Sequence, residues 1–91
     1  MNELTGIQRD IIYSIRGVEE PYGLGIKSKL QKYRKEEINH GRLYPNLDQL
    51  VEKGFVKKEA KDRRTNLYTL TEHARKAMEE RREWENNQMP N

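Results

Sequence analysis

The hydrophobic spacing changes period sharply between Leu43 and Leu70. Leu43, Leu47, Leu50 and Val51 recur at helical offsets and stop at Lys53-Gly54, as helix ends commonly do. Phe55–Ala60 and Asn66–Leu70 then flank the polar turn Lys61-Asp62-Arg63-Arg64-Thr65, which predicts a hairpin of two short strands. A helix running straight into a basic hairpin leaves few arrangements open to a short chain. Pro45 is expected in the first turn of this helix, where its missing N–H costs nothing.

The flanking segments are helical. Leu4, Ile7, Ile11, Ile12 and Ile15 lie on one stripe, with Thr5 as the expected cap and Gly17 as the expected stop. Pro21 breaks that pattern, and a second helix follows with Ile26, Leu30 and Tyr33 turned inward. The period lapses around Glu37–Gly41, where a short strand burying Ile38 is expected. Thr71 opens a last helix, to about residue 86, with Ala74, Ala77, Met78, Arg81 and Trp84 along one side. The expected division is one folded domain over 1–86 and a disordered tail over 87–91. The order helix, helix, short strand, helix, hairpin, helix predicts an α+β, mainly helical fold: a winged helix-turn-helix with a three-helix core, a two-stranded β-wing and a C-terminal dimerisation helix.

Composition narrows the function. Ninety-one residues make one small domain, and with only 33% hydrophobic residues some apolar surface is expected to be buried between subunits. Ile7, Ala74, Ala77, Met78, Arg81 and Trp84 are the residues expected at a homodimer interface, and the same stripe is expected to pack on its own first helix. No cysteine is present, which excludes disulfides and thiolate metal sites. The absence of a signal-like start or a long apolar run leads to the expectation of a cytoplasmic protein without membrane contact. His40 and His73 stand apart and no carboxylates cluster at ligand spacing, so no metal, cofactor or catalytic site is expected and the chain is not expected to be an enzyme.

The net charge of +3 says little about a polyanionic partner, but its distribution says more. Lys53–Arg64 carries a net +4 over twelve residues, and Lys27–Lys35 carries five positive charges. Either run alone would as often be a plain solvated face. A basic hairpin behind a third helix points instead to double-stranded DNA, with that helix in a major groove and the hairpin on adjoining phosphates or a minor groove. On the third helix Arg42 suits the acceptor edge of guanine, Asn46 or Gln49 suits adenine, and Tyr44 suits a phosphate or a thymine methyl. Tyr44 could equally pack the second helix. His40 is expected to cap that helix or touch a phosphate. Lys61, Arg63 and Arg64 of the turn are expected on the backbone or in the minor groove, and Lys27, Lys29 and Lys32 where the second helix crosses the backbone. The competing functions are a protein-interaction module for an acidic partner and a non-specific architectural DNA-binding protein.

These residues resemble the PadR family of winged-helix transcriptional regulators, in its short form with one helix after the wing. Gly41-Arg42-Leu43-Tyr44-Pro45-Asn46-Leu47 is similar to the family's Gly-Thr-Leu-Tyr-Pro-Ala-Leu signature, and Glu52-Lys53-Gly54-Phe55-Val56 continues it. Pro21-Tyr22-Gly23-Leu24-Gly25-Ile26 resembles the opening of the family's second helix, and Arg63–Glu72 resembles its wing. The resemblance implies a dimer formed through terminal helices and a repressor more often than an activator. Arg42 and Asn46 replace the family's frequent Thr and Ala, which implies a base preference peculiar to this chain. Ala74 replaces its usual Gly, and the single short last helix leaves a small-molecule effector open.

Overall fold

The structure is a computed structural model that describes residues 1–90. Its elements are α1 (Gly6–Gly17), α2 (Gly23–Arg34), α3 (His40–Glu52), β1 (Val56–Ala60), β2 (Asn66–Leu70) and α4 (Glu72–Gln88). Thr5 caps α1 as expected, accepting from the Gln8 N–H while the Gln8 side chain accepts from the Thr5 N–H. This reciprocal box satisfies two otherwise unpaired donors at the start of the helix. Ile11, Ile12 and Ile15 of α1, Ile26 and Leu30 of α2, and Leu43, Leu47 and Leu50 of α3 then close one core. Phe55, Val56, Tyr68 and Leu70 of the hairpin and Ala74, Ala77 and Met78 of α4 complete it.

The end of α3 aims the hairpin. Gly54 adopts a left-handed φ of +82°, which lets its own N–H reach the Val51 carbonyl and the Phe55 N–H reach the Leu50 carbonyl. This paired termination turns the chain sharply and brings Phe55 back onto Leu50. β1 and β2 pair antiparallel, with Val56 opposite Leu70 and Ala60 opposite Asn66. The Thr71 hydroxyl donates to the Gly54 carbonyl over 2.6 Å and accepts from the Ala74 N–H, so one residue pins the start of α4 to the end of α3.

Several expectations fail. No strand forms around Ile38: the residue is buried, but the Gln31 side chain accepts its N–H over 2.8 Å, so burial needs no partner strand. The hairpin's third partner comes from the α1–α2 connection, where Tyr22 bridges Leu67 and the Pro21 carbonyl accepts the Tyr68 N–H. Tyr33 is 74% exposed, because Ile26 and Leu30 already define the inward side of α2. Pro45 stands in the second turn of α3, since the helix begins at His40, and it leaves the Gly41 carbonyl without its helical donor. Asn87 and Gln88 of the expected tail continue α4, while residue 91 lies outside the described residues.

Replacing Gly54 with alanine forces a side chain into the left-handed region, at a cost of about 1–2 kcal/mol. Urea unfolding of Gly54→Ala checks this, with an unchanged midpoint counting against the turn described.

Candidate nucleic-acid interface

Burial of Leu43, Leu47 and Leu50 leaves Gly41, Arg42, Pro45, Asp48, Gln49 and Glu52 on the exposed face of α3. That face is not uniformly basic. Asp48 lies 3.8 Å from Lys58 of β1, and Glu52 adds a second carboxylate. Attraction for a polyanion must therefore come from around α3 rather than from α3 itself.

Arg42 belongs to a chain of ion pairs. Its Nη1 lies 2.6 Å from Glu36, whose other carboxylate oxygen lies 3.3 Å from Arg34, and Arg34 in turn lies 2.6 Å from Asp10 of α1. The Arg42 hydrogen bond, aided by Arg34, holds the Glu36 carboxyl below its usual range. Arg42 is thereby held above the first turn of α3, about 43% exposed and open to solvent. Asn39, not His40, caps the helix, its side chain accepting the Arg42 N–H over 2.9 Å. His40 is exposed and meets the Tyr44 ring edge-on at 5.5 Å.

The other predicted residues of α3 divide. Tyr44 is half-buried and lies across the start of α2 against Gly23, where an added Cβ would run into its hydroxyl. Asn46 is half-buried and engaged at both ends of its amide, donating to the Arg42 carbonyl and accepting from Gln8. Gln49 is exposed but also accepts from Gln8. Gln8, only 1% exposed, is the site residue that the hydrophobic pattern did not reveal. Its signal was present: a polar side chain between Leu4 and Ile11 on the inward stripe of α1.

The wing rises beside this face. Lys61 donates to the Tyr22 hydroxyl and lies 4.9 Å over the Tyr22 ring; this hydrogen bond raises the pKa of Lys61, so it serves as a brace between wing and α2. Asp62 accepts the Arg64 N–H over 2.9 Å and shapes the turn, which keeps its own carboxyl below the usual range. The Arg63 and Arg64 side chains are exposed, and neither pairs with a carboxylate among the described residues. Arg64 also lines a groove of about 430 Å³ with Tyr22, Leu24, Tyr44 and Asn66 at the junction of the wing and α2.

Two of the α2 lysines lie elsewhere. Lys29 donates to the Gly17 carbonyl and lines a groove with Arg9, Tyr13 and Arg81 of α1 and α4, because its position on α2 faces the end of α1. Lys32 shares a second groove with Val18 and Tyr33. Neither groove has a residue of α3 or the wing in its walls; Lys29 and Lys32 are exposed and Lys27 is half-buried. Of the stripe expected both in its own chain's core and at a dimer interface, Ala74, Ala77 and Met78 are buried in that core and Ile7 packs against it, while Trp84 is 58% exposed.

The chain matches the transcriptional regulator PadR-like family over residues 11–80. It belongs to that family. The PadR-like chain is similar to H. salinarum RosR in the RosR-S1 complex structure, at 46% identity and a TM-score of 0.90 over 96% of this chain and 77% of that one. Against H. salinarum RosR grown from NaBr it is 46% identical, with a TM-score of 0.88 over 94% of this chain and 77% of that one. A structure from STIV, described as a winged-helix DNA-binding protein, shares the fold at 23% identity, with a TM-score of 0.67 over 92% of each chain. No curated protein matches the chain. Membership makes this PadR-like protein a winged-helix DNA-binding transcriptional regulator and not an enzyme. Among the described residues no helix is long and apolar enough to cross a membrane.

A carboxyl whose folded pKa lies below its unfolded one favours the fold above the unfolded value, and that contribution disappears as the pH falls through the folded value. Glu36 should accordingly titrate below 4.5 in the folded protein. Carboxyl chemical shifts followed through acid pH should move its midpoint up toward 4.5 in Arg42→Ala; an unmoved midpoint rules out the pair as its cause.

Proposed function

We propose that this PadR-like regulator binds a pseudo-palindromic site in double-stranded DNA as a homodimer in the cytoplasm and represses nearby genes. The observation that carries the reading is the pair of uncompensated arginines, Arg63 and Arg64, on a hairpin that Lys61 and Tyr22 brace beside the exposed face of α3. Unpaired guanidinium groups exchange counterions for phosphates and favour close, bidentate contact with them. α3 then lies in the major groove, where Arg42 and Gln49 reach base edges, with His40 and Tyr44 beside the phosphates. The wing follows adjacent backbone or the minor groove. Leaving Glu36 for guanine costs Arg42 an exposed ion pair, which is a small cost.

The two-fold is assigned to the far half of α4. Trp84 is a large aromatic exposed beyond the last core residue of α4, and Arg81 stacks 5.9 Å from its ring. Burying both against a second α4 would set two α3 helices about one DNA turn, roughly 34 Å, apart. The folded segments available to an effector are short, and no effector is assigned.

Selection from random duplexes at physiological salt tests the whole reading, with an inverted repeat carrying two chains as the expected product. Salt-sensitive binding without enrichment would favour an architectural role; no duplex binding would favour a protein partner. With about four phosphates met per subunit, the slope of log affinity against log salt should be near −7, from about 0.9 per phosphate. Arg63→Ala and Arg64→Ala should each weaken all duplexes alike and make that slope shallower by about 0.9 for every phosphate left unneutralised in either subunit. Trp84→Ala should instead shift sedimentation toward monomer at unchanged secondary structure.

A further inference from the structure

Gln8 lies on α1, but its amide faces the two amides of α3. The polarity of this cluster is determined by its surroundings. The Gln8 Oε1 atom lies 3.2 Å from the Thr5 N–H nitrogen and 3.1 Å from Lys53 Nζ, two groups that only donate. The opposite end of the Gln8 amide must then be the amino group, and it donates to Asn46 Oδ1 at 3.1 Å and Gln49 Oε1 at 2.7 Å. Asn46 Nδ2 donates onward to the Arg42 carbonyl, a group that only accepts. Every amide between these fixed ends has one consistent orientation. The group left over is the Gln49 amino end, which has no partner among the described residues and belongs to an exposed side chain of α3.

We infer that Gln8 is a specificity-determining positioning residue: it turns the oxygen of Gln49 back toward α1, so that Gln49 meets DNA as a hydrogen-bond donor only. This rests on the proposal that α3 reads duplex DNA. A glutamine that reads adenine in bidentate fashion needs both amide ends, one for N6–H and one for N7. Here the oxygen is drawn toward the Gln8 amino group and away from that pairing. The donor end matches the acceptor-bearing edges of guanine, at O6 and N7, or of thymine, at O4, and finds no acceptor on the exocyclic amine of cytosine. Asn46, bonded at both ends, reads no base.

Gln8→Glu inverts the arrangement toward Gln49, while Asn46 Oδ1 loses its donor and faces a carboxylate oxygen, which is why melting temperatures are needed. Thr5-x-x-Glu is an equally good capping box, and Lys53 supplies a counter-ion for the new carboxylate. Facing only acceptors, Gln49 would turn its amino group inward and its oxygen outward. Selection from random duplexes should be run on the wild type, Gln49→Ala, Gln8→Glu and Gln49→Glu, with melting temperatures measured in parallel. Gln49→Ala identifies the base position concerned as the one whose preference collapses. At that position the wild type should favour guanine or thymine over cytosine by about five- to tenfold, the lower range for one good base contact. Gln8→Glu and Gln49→Glu should each move the preference toward cytosine or adenine at that position alone.

Adenine or cytosine preferred there by the wild type overturns the inference, as does a Gln49→Ala profile that loses no position. So does a folded Gln8→Glu with an unchanged preference, or one that weakens all sequences equally. If Gln8→Glu melts, the wild-type preference at the Gln49 position and its change in Gln49→Glu decide. Failure of the wild type to enrich any site would instead overturn the DNA-reading proposal on which the inference stands.

Discussion

Leu43, Leu47 and Leu50 have no contact with water, and most of the molecule exists to achieve that. Each fully buried leucine contributes roughly 1.5–3 kcal/mol, a large share for a chain whose core is this small. These leucines share one core with Ile11, Ile12 and Ile15 of α1, Ile26 and Leu30 of α2, and Phe55 and Tyr68. Because a helix hides one face only by presenting the opposite one, the constraint that stabilises the domain also determines which residues of α3 face solvent.

Around this core the polar groups divide between holding and reaching. Asn39 and Thr5 close helix starts, Lys29 closes the end of α1, and Lys61 braces the wing. The Arg63 and Arg64 side chains pair with no carboxylate among the described residues. Arg42 does both, kept in place by Glu36 while remaining open to solvent. Charge totals conceal this division, since a lysine that caps a carbonyl and an arginine free at a hairpin tip count the same.

Most of the fold was legible because local rules agree. The period of α3, Gly54 as its stop, the hairpin and the Thr71 cap are each set within a few residues. What escaped depends on residues far apart in the chain. Gln8 meets Asn46 and Gln49 across about forty residues, and the hairpin's third partner is Tyr22 rather than the stretch around Ile38. Lys29 shares a helix with Lys27, but helical geometry brings it to the Gly17 carbonyl at the end of α1. A polar residue on an otherwise apolar stripe, as at position 8, marks where such a distant contact is needed.

The bridge from Tyr22 to Leu67 covers the outer side of β2, so the free edge of the sheet belongs to β1. That edge is five residues long, and Lys57, Lys58 and Glu59 at its centre are exposed and charged. Short, charged edges resist the strand-to-strand addition through which small β-structures assemble into larger aggregates. The lysines of β1 thus work against edge-to-edge pairing of separate copies, whether or not either one ever touches a phosphate.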